Sequence, residues 1–284
     1  AALADYDAEI RIAPTRAVAY YSRGFIELMR GSLDRAIQDL TQAIRLQPSF
    51  AEPYFLRGDI HRARNDCPQA IADYSEAVRH APSFGLAYYH RADSYYQLGD
   101  YDRALADFNK VIQLRPELTA ALVSRGRTQM ARHDLAAAIA DFTQAIRVDP
   151  SYLNAYHQRG LAHAAQNDFD AAVVDHLEAI RMAPKAPEAH DNFARYWIVC
   201  PEQRNGAMAI ELATRACELC HWEDWKCLNT LSAAQAIAGD DAAAGGWAAK
   251  ALEAAPDQDK SSCRADLAEL TRLGAGRAVA DEPN

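Results

Sequence analysis

The stretch "YYSRGF" (Tyr20–Phe25) decides the fold, because it comes back. "YFLRGD" begins at 54, "YYHRAD" at 88, "LVSRGR" at 122 and "YHQRGL" at 156, each 34 residues after the last. The arginine holds its place as Arg23, Arg57, Arg91, Arg125 and Arg159. Other residue types keep the same period. Prolines fall at 14, 48, 82, 116, 150 and 184, and alanines at 36, 70, 104, 138 and 172. A second small series runs Ala43, Ala77, Val111, Ala145, Ala179. Self-similarity at a fixed period of this length marks a stack of supersecondary units rather than one globular core.

Within each period the apolar residues recur at three and four, the spacing of amphipathic helices. "RAIQDLTQAIRLQP" (35–48) is one such helix, ended by Pro48, which lacks the N–H and forces the preceding residue out of the helical region. "GDYDRA" (99–104) shows how a second helix begins: Gly99 turns the chain, and Asp100 and Asp102 sit where the helix dipole favours negative charge. Gly24 and Ala36 are small enough for the two helices to approach closely.

This pattern resembles the tetratricopeptide repeat, a 34-residue helix–turn–helix. The resemblance implies an all-α fold, an α-solenoid in which helical hairpins stack into a right-handed superhelix. Residues 1–14 read as the second helix of a truncated repeat, and the chain as a processed or excised fragment. Residues 15–186 hold five regular repeats. Two divergent ones follow at 187–258, the first with a longer turn at "PEQRNG" (201–206). Residues 259–273 are expected to form a capping helix, and 274–284 a flexible tail. "ATRACELCHWEDWKCLNTLSAAQAIAGD" (213–240) is similar to a C-terminal variant of bacterial tetratricopeptide proteins, where "ACELTGW" and "LDTLAAAYAEAGD" are common.

The repeated arginine has an internal explanation. Sixteen residues after each stands an aspartate: Asp39, Asp73, Asp107, Asp141 and Asp175. In an antiparallel hairpin these slots can face each other, and a carboxylate suits the guanidinium fork. In the sixth repeat both charges give way together, to Phe193 and Leu212, and in the seventh to Leu231 and Trp247. The arginines therefore read as a ladder of pairs within hairpins, not as an anion receptor.

Composition bounds the partner. The net charge of -9 argues against nucleic acid and against an anionic membrane surface, which both select basic stripes. No apolar run reaches the roughly 18–20 residues of a spanning helix. Six irregularly spaced cysteines do not form a disulfide framework, so the expected compartment is the cytoplasm. "CELCH" (217–221) matches a haem c attachment pattern, and Cys217, Cys220, His221 and Cys227 could be drawn as zinc ligands. The helix-packing reading is preferred, and no cofactor or metal is expected. Neither a glycine-rich phosphate loop nor a nucleophile elbow is present, and the expectation is that the chain is not an enzyme.

In the resembling family the first helices line the concave wall. Helical phase then selects Tyr21, Phe25 and Leu28; Phe55, Asp59 and Arg62; Tyr89, Asp93 and Tyr96; Arg127 and Met130; and His157 as a peptide-binding set. The later wall holds Asp191, Arg195 and Asn229. Aromatic, Met and Arg side chains are the types enriched at interface centres. Some members grip a partner's C-terminal carboxylate with Lys and Asn, but the matching slots here hold Tyr21, Phe25, Glu52, Leu56 and Leu86. The expected function is a non-catalytic scaffold for a protein or peptide segment. The alternative is a regulatory or targeting arm of a larger enzyme, such as a kinase, whose catalytic domain lies outside this chain. The N-terminal helix, with Tyr6 and Ile10, is also expected to offer a face for homo-oligomers.

Overall fold

The computed structural model describes residues 2–200 and 203–275, so two residues of the lengthened turn and most of the expected tail (276–284) lie outside the described residues. Sixteen α-helices and no strand are found among the described residues. Contacts group the chain into two compact units, 1–141 and 142–284.

The first unit holds α1 (Ala2–Ile12), then α2 (Ala17–Met29) with α3 (Leu33–Leu46), α4 (Ala51–Ala63) with α5 (Cys67–His80), and α6 (Gly85–Gln97) with α7 (Tyr101–Leu114). It ends with α8 (Thr119–Ala131) and the start of α9 (Leu135–Val148). The second unit continues with α10 (Leu153–Ala165) and α11 (Phe169–Met182). It then pairs α12 (Pro187–Val199) with α13 (Gly206–Leu219) and α14 (Trp225–Ala238) with α15 (Asp241–Ala254), and closes with α16 (Lys260–Ala275).

The turns follow the repeat. Between first and second helices one residue takes a left-handed conformation: Gly31, Asn65, Gly99, His133 and Asn167, with φ from 60° to 77°. Glycine and asparagine tolerate that region best. The next residue caps the second helix in four of these turns. Asp66, Asp100, Asp134 and Asp168 each accept the N–H three residues on, at 3.2–3.3 Å. Ser32 fills the slot in the first hairpin without a side-chain cap. Second helices end two residues before the periodic prolines, and the intervening Gln47, Ala81, Arg115 and Ala183 leave the helical region, with φ between -132° and -143°.

The arginine ladder is present on every rung. Arg23 Nε and Nη2 donate to Asp39 at 2.8 and 2.7 Å, and Arg57 to Asp73 at 2.8 and 2.6 Å. Arg91 reaches Asp107 at 2.7 and 2.8 Å, and Arg125 reaches Asp141 at 2.7 and 2.5 Å. Arg159 completes the series on Asp175 at 2.9 and 2.5 Å. All five aspartates are buried. The hydrogen bond each donates to its aspartate, against the opposing effect of burial, holds the Arg57 and Arg125 guanidinium pKa above its usual value.

Each guanidinium also has a third arm. Nη1 donates backward to the second helix before it: Arg23 to Asp7, Arg57 to Thr41, Arg91 to Ser75, Arg125 to Asn109 and Arg159 to Thr143, at 2.6–3.1 Å. Those acceptors are themselves 34 residues apart. On four rungs a tyrosine three residues earlier lies against the guanidinium at 5.4–5.9 Å: Tyr20, Tyr54, Tyr88 and Tyr156. The following glycine lets the helices close. A Cβ on Gly24 would meet Asp39 Cβ at 3.2 Å, and one on Gly58 would strike the Tyr74 ring at 2.7 Å.

Where the charges are missing, apolar pairs fill the slots. Phe193 packs in one cluster with Leu212, and Leu231 in another with Trp247.

Candidate functional site

Within each unit, neighbouring first helices touch one another: α4 with α6 and α6 with α8, then α10 with α12 and α12 with α14. No pair of second helices makes comparable contact among the described residues. The first-helix side is therefore the narrower side of each stack, and side chains on it converge.

In the first unit this wall carries most of the residues singled out by helical phase. Phe25 is 44% exposed, and its neighbour Met29 is 72% exposed. Tyr21 is half-buried, with its ring tilted onto Phe50 at 5.1 Å, and Leu28 packs beside Leu40 and Ile60. Phe55 is walled in by Phe84, His90 and Tyr74, with ring centroids at 4.9, 5.2 and 5.9 Å. Asp59 is satisfied internally: it accepts from Tyr74 Oη at 2.7 Å and faces His90 Nδ1 at 2.6 Å. Tyr89 packs edge-on to Phe108 and hydrogen-bonds Ser124 at 2.9 Å.

The remaining members form a continuous strip. Arg62 on α4 faces Asp93 on α6 at 3.6 Å, while its Nε is buried without a partner. Tyr96, one turn after Asp93, lies under the Arg127 guanidinium of α8 at 5.5 Å. Arg127 is exposed, and Met130 beside it is half-buried. The strip thus alternates cation, anion, aromatic ring and cation across three helices, with partly exposed side chains. Such a surface offers charge complementarity together with aromatic contact area.

The second unit presents a different wall. His157 does not stand free: its Nδ1 is buried without a partner, and its ring lies 5.4 Å from that of His176. Burial, then the nearby charge of Arg195, drives the His157 pKa down to about 4, and burial also holds His176 well below its ordinary value. Arg195 and Asn229 are covered by α16. Arg195 Nη2 donates to Asp266 at 2.6 Å, and Asn229 Nδ2 donates to the Cys263 carbonyl and to Asp266, at 2.9 and 3.2 Å. Leu270 of α16 packs against Ile198, Ala233 and Ala234. The C-terminal helix thus lies on α12 and α14 and takes part of the wall that the sequence left open.

Cys217 and Cys227 are buried in the core around Leu228 and Leu231. Burial pushes the Cys217 thiol up to about 12 and raises Cys227 further, so neither is a ready thiolate. Cys220 points its Sγ at the Cys217 carbonyl. His221 and Trp222 form a turn with positive φ. Among the described residues no group of three or more His, Cys, Asp or Glu is arranged to hold a metal ion. Among the described residues, also, no helix is long and apolar enough to cross a membrane.

Sequence phase missed three features. His90 and Ser124, which tie up Asp59 and Tyr89, come from neighbouring hairpins. The third arm of the ladder varies in residue type, although its spacing was there to be read. The capping helix expected at 259–273 carried no signal that it would lie over Arg195 and Asn229.

Comparison with known proteins agrees with the fold. The tetratricopeptide repeat family model matches residues 55–118 and 123–187. Among curated proteins no sequence matches the chain. A tetratricopeptide repeat protein from Parabacteroides merdae superposes with a TM-score of 0.66 at 17% identity, covering 91% of this chain and 98% of its own. Yeast Tom70 gives 0.65 at 18% identity, over 98% of this chain and 59% of its own. YrrB, described as a TPR protein with an unusual peptide-binding site, gives 0.58 at 20% identity, over 65% and 95%.

Proposed function

This chain is a tetratricopeptide repeat protein, and we propose that its first unit is a non-catalytic scaffold that binds a segment of another polypeptide on the first-helix wall. The observation that carries this is the strip Arg62–Asp93–Tyr96–Arg127, which runs across three helices with exposed Phe25 and Met29 on the same wall. An extended or helical segment could lay alternating acidic, basic and apolar side chains along it. Phe55, Asp59 and Tyr89 serve as its supporting layer, because their polar and aromatic partners are already within the fold.

The test is selection from a random-peptide display library, followed by titration of the selected peptides. The comparison is between wild type and a Phe25→Ala, Tyr96→Ala, Arg127→Ala variant with an unchanged circular dichroism spectrum. Loss of three interface anchors should weaken binding by about a hundredfold or more, given about 1–2 kcal/mol for each. Peptides that bind both proteins equally would remove the wall from consideration.

A further inference from the structure

The second unit contains a cleft of about 490 Å³ where the N-terminal ends of α10, α12 and α14 come together. Its size is that of a small-ligand or side-chain site. Its lining is rich in acceptors: Ser151, Asn154, Glu188, Asp191, Asn192 and Asp224 all contribute. The one basic lining residue, Lys226, holds its ammonium near the Trp225 ring at 5.7 Å.

Asp191 is what separates this cleft from an ordinary row of acidic first-turn residues. It is 8% exposed, it lines the cleft, and its Oδ1 is buried with no hydrogen-bond partner. The charges around it do not cancel. Arg195 lies one turn along the same helix, but its guanidinium is engaged with Asp266 of α16. Thr230 of α14 offers a hydroxyl, Asp224 just before α14 a further negative charge, and Asp266 of α16 adds another. Burial, incompletely offset by Arg195 and Thr230, pushes the Asp191 carboxyl up to about 6. A buried carboxylate without a full partner is costly and is rarely kept without a use.

We propose that this cleft is a receptor for an arginine side chain, with the guanidinium donating to the Asp191 carboxylate and to the acceptors at the rim. A guanidinium suits it better than an ammonium for two reasons. It carries five donors in a planar fork, and it sheds its hydration more cheaply on entering a half-buried site. Tyr152 in the lining supplies an aromatic face for it. The site is separate from the first-unit wall and does not depend on it.

The experiment titrates the full chain with N-acetyl-arginine amide and follows backbone amide resonances by NMR. N-acetyl-citrulline amide, of the same shape but uncharged, is the control. The arginine derivative should displace the Asp191, Asn192 and Lys226 signals saturably, and the citrulline derivative should bind at least roughly tenfold more weakly. Asp191→Asn should abolish the difference between the two. Equal binding of both probes, no movement of the cleft signals with arginine, or arginine binding that survives Asp191→Asn would each overturn the proposal. Should Asp191→Asn fail to fold, Asn154→Lys, at an exposed rim position, places a competing ammonium in the cleft and should block the arginine probe. Unimpeded binding by that variant would overturn the proposal as well. The Phe25→Ala, Tyr96→Ala, Arg127→Ala variant should bind the arginine probe like wild type, so the two sites fail or stand separately.

Discussion

The hairpin α6–α7 and the hairpin α12–α13 occupy equivalent places in the repeat and solve the same packing problem in opposite ways. In the first, Arg91 and Asp107 meet through two hydrogen bonds in a largely buried site, with a third bond to Ser75 and a tyrosine ring alongside. In the second, Phe193 and Leu212 fill the same space with hydrocarbon. One chain holds both solutions, so the ion pair is not required for the hairpin to form. What cannot be tolerated is half of it. Desolvating two charges costs about as much as their attraction returns, whereas a lone buried charge has nothing to offset that cost.

The comparison is broken most strongly by removing one partner. Asp107→Ala leaves the Arg91 guanidinium buried against an empty slot and should cost about 3–5 kcal/mol in a urea melt. Arg91→Leu combined with Asp107→Leu imitates the apolar hairpin and should recover most of that loss. A double variant less stable than the single one would show that the two kinds of hairpin are not interchangeable.

How much of this was legible in the sequence differs between the two walls. The ladder was plain, because five arginines, five aspartates and their joint disappearance at Phe193 and Leu212 share one register. The third arm was not seen, since Asp7, Thr41, Ser75, Asn109 and Thr143 agree only in being short and polar. Helical phase put Asp59, Tyr89 and His157 on the wall. It could not say that His90, Ser124 and His176 would occupy them, because those contacts depend on how neighbouring helices approach. Likewise, Asp191, Arg195 and Asn229 look equivalent by phase. Only the placement of α16 separates the covered Arg195 and Asn229 from Asp191 in its cleft.

A second contrast lies in pH. The second unit buries His157 and His176 in neutral form, with His157 near 4 against about 6.5 when unfolded. Below pH 6.5 the unfolded chain takes up more protons at these positions, so stability falls as the pH drops towards 4. His157 alone contributes a loss of about 3 kcal/mol over that range. Asp191 acts in the opposite sense. Its folded pKa is raised to about 6, so its contribution to stability is complete below the unfolded value and is lost as the pH rises through 6. Two histidines against one aspartate leave a net acid lability. All four tryptophans (197, 222, 225 and 247) lie in the second unit, so their fluorescence reports it alone. At pH 4.5 the fluorescence transition should precede the circular dichroism transition, and Asp191→Asn should make the acid decline steeper. Coincident transitions at every pH would mean that the buried histidines do not set the difference.

The smallest effect concerns the turns, where the first hairpin departs from the next four. Asp66, Asp100, Asp134 and Asp168 each cap a second helix, whereas Ser32 at the same slot makes no side-chain hydrogen bond. The backbone at Ser32 nevertheless has the same geometry, with φ -82° and ψ 63° against -84° and 70° at Asp100. An aspartate there needs no rearrangement to reach the amide three residues on, and its charge also meets the positive end of α3. Ser32→Asp should therefore stabilise by about 0.5 kcal/mol, while Asp100→Ala should destabilise by about 1 kcal/mol. Asp34, already in the first turn of α3 and paired with Arg64 at 2.7 Å, reduces the electrostatic part of the gain without touching the hydrogen bond. Raising the salt concentration should accordingly leave most of the Ser32→Asp increment in place. An increment that vanished with salt would show it to be charge alone, and the uncapped turn would then differ from the others in more than its side chain.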